Sequence, residues 1–313
     1  MINMADIRAA AARIGKHIRR TPLWCVPSTT FRGELPYDLY LKLELLQVTG
    51  SFKPRGAFNR VLSENHSPRG LVTSSGGNHG IAVAYVGQTL GLPVAIPLPA
   101  NVAPEKLAAM RAFGADAEVV GPTFVVSNAR AKEIAAERGF LYLHPFAEAA
   151  GIAGQGTVGL EILEDLADAD VVVVAVGGGG LIGGVAAAIK EQRPDISVVG
   201  VEPVGADALT RSLAAGHPVT LSKIETKAAT LAPPMTEQIN LDLARLFVNN
   251  MVLVTDEEMV SAAKWLWRHC SVAAELGGAA STAALLAGRV TIAPGQKVVS
   301  IVCGAGTAGL NSP

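Results

Sequence analysis

Apolar segments alternate with helical patterns along most of the chain. Segments rich in β-branched residues, such as Val171–Val176 and Lys297–Val302, predict buried strands. Between such segments, apolar residues recur at helical spacing, as in Ile81–Leu90 and Asn128–Arg138. This strand–turn–helix order predicts a largely parallel sheet, because parallel strands need crossover connections. The stretch from Ala206 to Leu243 shows neither period, and we expect it to be irregular.

Two series of these units follow each other along the chain. Segments 70–73, 93–97 and 117–120 read as strands of the first series, and a second series begins near Gly151. Glycine-rich loops follow several strands, where open α/β sheets bind their ligands. With 313 residues, the chain is long for a single core. We therefore expect an α/β fold of two domains with a cleft between them.

Composition excludes several classes of partner. Charged residues make up 17% of the chain and the net charge is −1, so no basic surface for nucleic acid or for an anionic membrane is expected. No apolar run reaches the roughly 20 residues of a membrane span. The cysteine count is 3, and Cys25, Cys270 and Cys303 are far apart. This usage indicates a reducing compartment, and we expect a cytoplasmic protein.

A lysine in an apolar setting is the first candidate for chemistry. Lys53 follows Gly50, Ser51 and Phe52 and precedes Pro54, which can open a helix. This setting favours a reactive amine over a solvated charge, because a lysine held in a pocket can condense with a carbonyl group. The alternative is a lysine that merely extends its ammonium into water at a helix start.

Four consecutive glycines predict a phosphate site. Gly177, Gly178, Gly179 and Gly180 follow a buried strand, and a helix begins near Leu181. Backbone N–H groups without side chains at a helix N-terminus form an anion site. Residues 178–183 also fit the dinucleotide motif G-x-G-x-x-G, with Glu202 at the end of the next strand. An NAD-dependent oxidoreductase is therefore an alternative.

A polar turn offers a second anion receptor. Residues 74–80 read Ser-Ser-Gly-Gly-Asn-His-Gly between a strand and a helix. Hydroxyl groups, an amide and the N–H groups of a helix start can together receive a carboxylate. A turn with only a structural role would need one or two of these residues.

In this order, the three motifs resemble those of the serine/threonine dehydratase-like family of fold-type II pyridoxal-phosphate enzymes, whose fold is that of tryptophan synthase β. The resemblance extends from Pro22 to Gly309. It implies that Lys53 holds pyridoxal 5′-phosphate as a Schiff base and is the catalytic base. The implied cofactor-binding residues are Lys53, Phe52, Asn78, Gly177, Gly178, Gly179, Gly180, Leu181 and Cys303. The implied substrate-binding residues are Ser75, Gly76, Asn78 and His79.

The resemblance also implies a domain arrangement and a reaction. Residues 1–69 and 148–313 would form a large cofactor-binding domain, and residues 70–147 a small inserted domain. The protein would be a homodimer that acts on a small amino acid. A 2-amino-3-hydroxy acid, such as serine, threonine or a β-substituted analogue, would give a 2-oxo acid and ammonia by α,β-elimination, so the enzyme would be an ammonia-lyase.

Two site positions refine this expectation. Serine racemases of the family carry a serine where this chain has Gly76, and that serine handles the proton on the second face of the α-carbon. Glycine has no proton to give, which favours dehydration, although a racemase stays an alternative. Cys303 would meet the pyridine nitrogen as a neutral partner, which suits rapid loss of a β-substituent.

Other positions depart from the family pattern. Some members bind a divalent cation through a glutamate, a backbone carbonyl and an aspartate, and here Glu202, Ala206 and Ala208 occupy these places. Because the aspartate is missing, we predict no metal. Phe146 stands where an asparagine is common, and the Pro233-Pro234 pair replaces an Asp-Gly-Val-like element. Both are candidates for reshaping the pocket.

Overall fold

The computed structural model describes residues 2–26 and 35–310. Its strands lie in two sheets. The strands are β1 (Leu23–Cys25), β2 (Asp38–Lys42), β3 (Leu71–Val72), β4 (Val94–Pro99), β5 (Asp116–Gly121), β6 (Leu141–Tyr142), β7 (Val171–Ala175), β8 (Ser197–Pro203), β9 (Asn250–Val254) and β10 (Lys297–Ile301). The α-helices are α1 (Met4–Ile14), α2 (Lys53–Leu62), α3 (Asn78–Leu90), α4 (Pro104–Ala112), α5 (Phe124–Arg138), α6 (Ala149–Asp165), α7 (Gly180–Gln192), α8 (Ala208–Ala215), α9 (Gln238–Phe247), α10 (Asp256–Cys270) and α11 (Leu276–Leu286).

The larger sheet has the strand order β1-β2-β10-β7-β8-β9. β1 pairs antiparallel with β2, and each of the other neighbouring pairs is parallel. β7 is buried along its whole length, as expected for a β-branched strand whose two faces are both covered. The Gly177–Gly180 loop follows β7 at the carboxyl edge of this sheet.

The smaller sheet has the order β5-β4-β3-β6, and all of its pairs are parallel. Its strands come from residues 71–142, and the turn at 74–80 joins β3 to α3. The predicted α/β fold with parallel sheets is confirmed. The domain limits at residues 70 and 147 stay predictions, and residues 1, 27–34 and 311–313 of the larger predicted domain lie outside the described residues.

α2 joins the two sheets. It packs against α6, which covers the larger sheet, and against α3, which belongs to the smaller one. Its Phe58 is fully buried in the same apolar cluster as Ile96 and Leu98 of the smaller sheet. Because α2 begins at Lys53, this packing places the lysine between the carboxyl edges of both sheets.

Residues 206–243 contain regular structure, so the expectation of an irregular stretch is wrong. α8 has about two turns, too few for an apolar spacing to repeat visibly. α9 buries Leu241, Leu243 and Ala244, an apolar helical spacing that extends beyond Leu243, the expected end of the irregular stretch. β9 and α11 are likewise absent from the predicted elements. Across residues 2–26 and 35–310, every helix is too short or too polar to cross a membrane.

Candidate active site

The Lys53 side chain is partly buried at the start of α2. Its Nζ donates a hydrogen bond to the carbonyl of Pro145 at 2.6 Å and lies 5.1 Å from the centre of the Phe52 ring. Burial lowers the pKa of Lys53 to about 8, against the opposing influence of Cys303 and Glu275. A lysine with this pKa has a sizeable neutral fraction near pH 8, which an attack on a carbonyl carbon requires.

Arg55 holds the first turn of α2 in place. Its guanidinium donates to Glu44 at 2.7 and 2.8 Å and to Glu161 at 2.7 and 2.9 Å. Lys42 donates to the same Glu161 at 2.6 Å. All four side chains are buried, so the two carboxylates and two cations compensate each other away from water. This cluster fixes the backbone two residues after Lys53.

The glycine loop has no space for side chains. Gly179 has φ +96°, in the left-handed region, and a Cβ at Gly178 would overlap the Phe146 ring. α7 begins at Gly180, so the N–H groups of its first turn have no carbonyl partner within the helix. Pro233 lies close to Gly177, where an added Cβ would be 3.5 Å from its Cδ. Phe146 and Pro233 therefore both pack on the loop.

Two residues that sequence reasoning missed hold this loop. The amide of Asn240 donates to the carbonyl of Gly178 at 2.8 Å, and the hydroxyl of Thr236 donates to the same oxygen at 3.0 Å. Both side chains are buried. Because side chains already hydrogen-bond this carbonyl, the N–H groups of the loop remain available to bind an anion. From the sequence alone, a buried asparagine in a short helix cannot be distinguished from an asparagine on the surface.

The polar turn brings its predicted residues to the N-terminus of α3. Ser75 Oγ accepts a hydrogen bond from the N–H of Gly77 at 3.4 Å, and α3 begins at Asn78. A Cβ at Gly76 would lie 3.1 Å from Cγ2 of Val102. The N–H groups of the first turn of α3 lack partners within the helix, which suits a carboxylate.

The His79 ring is directed away from this turn. It is buried, and its Nε2 lies 3.2 Å from the carbonyl oxygen of Leu143. Burial, followed by the positive charge of Lys53, lowers the pKa of His79 to about 3. The imidazole is therefore neutral and engaged by the backbone. Its backbone N–H, in the first turn of α3, is the part of His79 that suits a substrate carboxylate.

The amide of Asn78 has two charged partners. Its Nδ2 donates to Oε1 of Glu275 at 2.7 Å, and its Oδ1 accepts a hydrogen bond from Lys106 Nζ at 2.8 Å. Burial raises the pKa of Glu275, while Lys106 and other neighbours oppose the increase. Sequence reasoning missed both Lys106 and Glu275, because neither belongs to a recognisable motif.

Cys303 lies at the end of β10, on the other side of the site. Its Sγ donates to the carbonyl of Gly277 at 3.5 Å, and its backbone carbonyl accepts from the N–H of Phe52 at 3.2 Å. Burial raises the pKa of Cys303 to about 12, so the thiol is neutral. Leu181 is buried at the start of α7 and lines the same cavity as Lys53.

Glu202 is engaged by the backbone of α8. Its carboxylate accepts hydrogen bonds from the N–H groups of Leu209 and Thr210, each at 2.8 Å, and from the Thr210 hydroxyl at 2.6 Å. Asp207 pairs with Arg211 at 2.9 Å. Glu202 is fully buried and therefore cannot receive the ribose of a dinucleotide, so the geometry argues against the NAD alternative. Its engaged oxygens likewise do not fit the family's cation site.

The comparison with known proteins decides the family. A family model described as pyridoxal-phosphate dependent enzyme matches residues 14–304. The chain belongs to this family of pyridoxal-phosphate dependent enzymes. It is 37% identical over 306 residues to the L-threonine ammonia-lyase of Thermotoga maritima, a match that covers 97% of this chain and 75% of the relative.

Two further relatives cover nearly the whole chain. The phenylserine dehydratase of Ralstonia pickettii is 35% identical over 307 residues, covering 97% of this chain and 93% of the relative. The structure of maize serine racemase superposes with a TM-score of 0.92 at 33% identity, covering 97% of this chain and 93% of that one. The pyridoxal-phosphate enzymes similar to this chain thus include both lyases and a racemase.

The site fits the family's cofactor. The glycine loop offers backbone N–H groups at the N-terminus of α7 with no side chains over them, and this suits a phosphate group. Lys53 provides an amine with a lowered pKa for the aldehyde carbon, and Cys303 a neutral thiol. The predicted cofactor, pyridoxal 5′-phosphate, is confirmed by the family.

Proposed function

We propose that this pyridoxal-phosphate enzyme is an ammonia-lyase that converts a 2-amino-3-hydroxy acid into a 2-oxo acid and ammonia. The observation that carries the proposal is Lys53, whose amine lines the cavity beside the glycine loop and has a lowered pKa. Gly76 carries no acidic side chain, and the family resemblance would place it on the opposite side of the substrate. One base and a leaving group are sufficient for an α,β-elimination, whereas racemisation needs acid–base groups on both faces. The names of two relatives, a threonine ammonia-lyase and a phenylserine dehydratase, support the same chemistry.

Lys53 has two tasks in this proposal. When bound, pyridoxal phosphate supplies a carbonyl group for the substrate amine and a ring that withdraws electrons from the α-carbon. Lys53 Nζ would hold the cofactor and, when the substrate is bound, would remove the α-proton. The lowered pKa serves the second task, because a neutral amine is the form that accepts a proton.

The ends of α3 and α7 would bind the two anionic groups. The first turn of α3 and the Ser75 hydroxyl face the position proposed for the substrate carboxylate. The Gly177–Gly180 loop and the N–H of Leu181 would bind the phosphate, with Thr236 and Asn240 fixing the loop through the carbonyl of Gly178. Two helix N-termini thus orient the reacting groups without using a charged side chain.

Cys303 would face the ring nitrogen. Its raised pKa keeps the thiol protonated, so it cannot act as the anionic partner that would hold a pyridinium. A ring nitrogen that meets this neutral thiol would not be held protonated, and the cofactor would then withdraw electrons less strongly. Cys303 would thereby suit the loss of a β-substituent.

The proposal is tested with a panel of substrates. Purified enzyme is incubated with L-serine, L-threonine, L-phenylserine and 3-hydroxyaspartate, and 2-oxo acid and ammonia are measured together with the D-isomers. We expect stoichiometric 2-oxo acid and ammonia from at least one member, and none from Lys53→Ala. Formation of D-isomers without 2-oxo acid would establish the racemase alternative instead.

We also propose that the protein is a cytoplasmic homodimer. The family resemblance supports the dimer, and the free state of Cys25, Cys270 and Cys303 agrees with a reducing compartment. Light scattering of the purified protein measures the assembly directly, and a mass near 32.3 kDa in solution would refute the dimer.

A further inference from the structure

The Asn78 amide is held from both of its ends by charged side chains. Lys106 Nζ donates to Oδ1 at 2.8 Å, and Nδ2 donates to Oε1 of Glu275 at 2.7 Å. Lys106 lies on α4 and Asn78 on α3, beside the smaller sheet, whereas Glu275 immediately precedes α11 against the larger sheet. The chain Lys106–Asn78–Glu275 therefore crosses from one sheet to the other within the active site.

These partners allow the amide only one orientation. A lysine ammonium can only donate hydrogen bonds, so the oxygen of Asn78 must face Lys106. The nitrogen then faces Glu275, whose carboxylate accepts. In the reversed orientation, an NH₂ group would oppose an ammonium and an oxygen would oppose a carboxylate, which replaces two charge-assisted hydrogen bonds by two repulsive contacts.

The pair Asn78–Glu275 lies next to Gly304. A Cβ added at Gly304 would overlap Oε1 of Glu275 and lie 3.2 Å from Nδ2 of Asn78. Gly304 directly follows Cys303, the proposed partner of the ring nitrogen. The charge of Glu275 also acts on both Lys53 and Cys303. Glu275, the partner of the Asn78 amide, therefore lies close enough to both Lys53 and Cys303 to influence their charges.

We propose that Lys106 and Glu275 are positioning residues that hold Asn78 as a hydrogen-bond donor toward the ring hydroxyl oxygen of pyridoxal phosphate. An amide nitrogen carries two hydrogens, and Glu275 engages one of them, so the second stays free for the cofactor. A donor at that oxygen stabilises its deprotonated form. The inference rests on the proposed pyridoxal-phosphate chemistry and on the cofactor contact that the resemblance implies for Asn78, and it is independent of which hydroxy amino acid is the substrate.

A double-mutant cycle on the holoenzyme tests the inference. The visible absorbance of the bound cofactor is titrated with pH, without substrate, in wild type, Lys106→Met, Asn78→Ala and the double variant. In the wild-type background, we expect Lys106→Met to raise the midpoint by about one unit, because Glu275 alone then holds the amide, which is directed less firmly at the deprotonated oxygen. In the Asn78→Ala background, the same substitution should shift the midpoint by less than about a third of that amount, because Lys106 then has no amide to orient.

Matched variants separate orientation from charge. Lys106→Arg keeps a cationic donor and should restore the wild-type midpoint, and Glu275→Gln keeps an acceptor for Nδ2. Lys223→Met removes an exposed lysine that pairs with Glu225 and should leave the titration unchanged. An equal shift from Lys106→Met in both backgrounds, or no shift in the wild-type background, would overturn the inference. Because no substrate is present, a failure to form 2-oxo acid would not affect this result.

Discussion

The carbonyl oxygen of Pro145 accepts a hydrogen bond from Nζ of Lys53 at 2.6 Å. Pro145 belongs to the segment between β6 and α6, and Lys53 begins α2, so this bond links two parts of the site that are far apart in sequence. A carbonyl accepts from a neutral amine as well as from an ammonium, and the bond from the ammonium is the stronger one. The bond therefore orients Lys53, and burial, which lowers its pKa to about 8, outweighs the preference of this bond for the charged form.

The pKa of Lys53 predicts how cofactor loading depends on pH. The protonated amine cannot attack an aldehyde, so the rate of loading should rise with pH and level off above about 8, the lowered pKa of Lys53. An ordinary lysine would give a midpoint near 10.5. The measurement is the visible absorbance that develops when cofactor-free protein is mixed with pyridoxal phosphate at a series of pH values. Lys53→Arg should give no such signal, and a midpoint above pH 10 would contradict the prediction.

Gly178→Ala should weaken cofactor binding by about tenfold or more. The new Cβ would overlap the Phe146 ring, so either the ring or the loop must move, and overpacking of this kind costs about 1–3 kcal/mol. Equilibrium titration with pyridoxal phosphate measures the effect. The double variant Gly178→Ala/Phe146→Ala should recover part of the affinity. Gly15→Ala, after α1 with a helical φ of −53°, is the control and should bind normally, because its Cβ would meet only the carbonyl of Ala11 at 3.2 Å.

Gly76→Ser should add racemisation at the expense of elimination. The serine hydroxyl would supply the missing acid on the second face of the α-carbon, and its Cβ would need only a small movement of Val102, whose Cγ2 would lie 3.1 Å away. Chiral chromatography of the amino acid after incubation measures the D-isomer. Gly76→Ala brings the same Cβ without a hydroxyl. If this variant forms as much D-isomer as the serine variant, the explanation fails.

Arg55→Met should destabilise the fold by about 3–5 kcal/mol. The substitution leaves Glu44 and Glu161 buried with only Lys42 to compensate them. Urea unfolding, monitored by circular dichroism, gives the change. Arg130→Met, which removes an exposed guanidinium paired with Glu133 and Glu137, should leave the unfolding midpoint unchanged. Equal unfolding midpoints for Arg55→Met and Arg130→Met would refute the stabilising role of the buried cluster around Arg55.

The local motifs can be predicted from the sequence because each consists of residues that are neighbours along the chain. The glycine loop after β7 needs glycine for φ +96° at Gly179 and for contact with Phe146, and both requirements appear as consecutive glycines. Likewise, Lys53 before a helix-opening proline and the polar turn at 74–80 are continuous segments. The α/β fold can likewise be predicted from the alternation of strands and helices, because the periodicity of each element is a local property of the sequence.

Tertiary structure decided the environment of these motifs. Glu275 is 197 residues from Asn78, and Asn240 is 62 residues from Gly178, so no spacing rule could pair them. The orientation of the Asn78 amide and the commitment of the His79 ring to a backbone carbonyl also follow only from the packing. The sequence alone predicted the fold class and, through the family resemblance, the cofactor and the central lysine. Which polar groups meet around that lysine depended on folding, because hydrogen bonds and burial join residues from both sheets that share no local pattern.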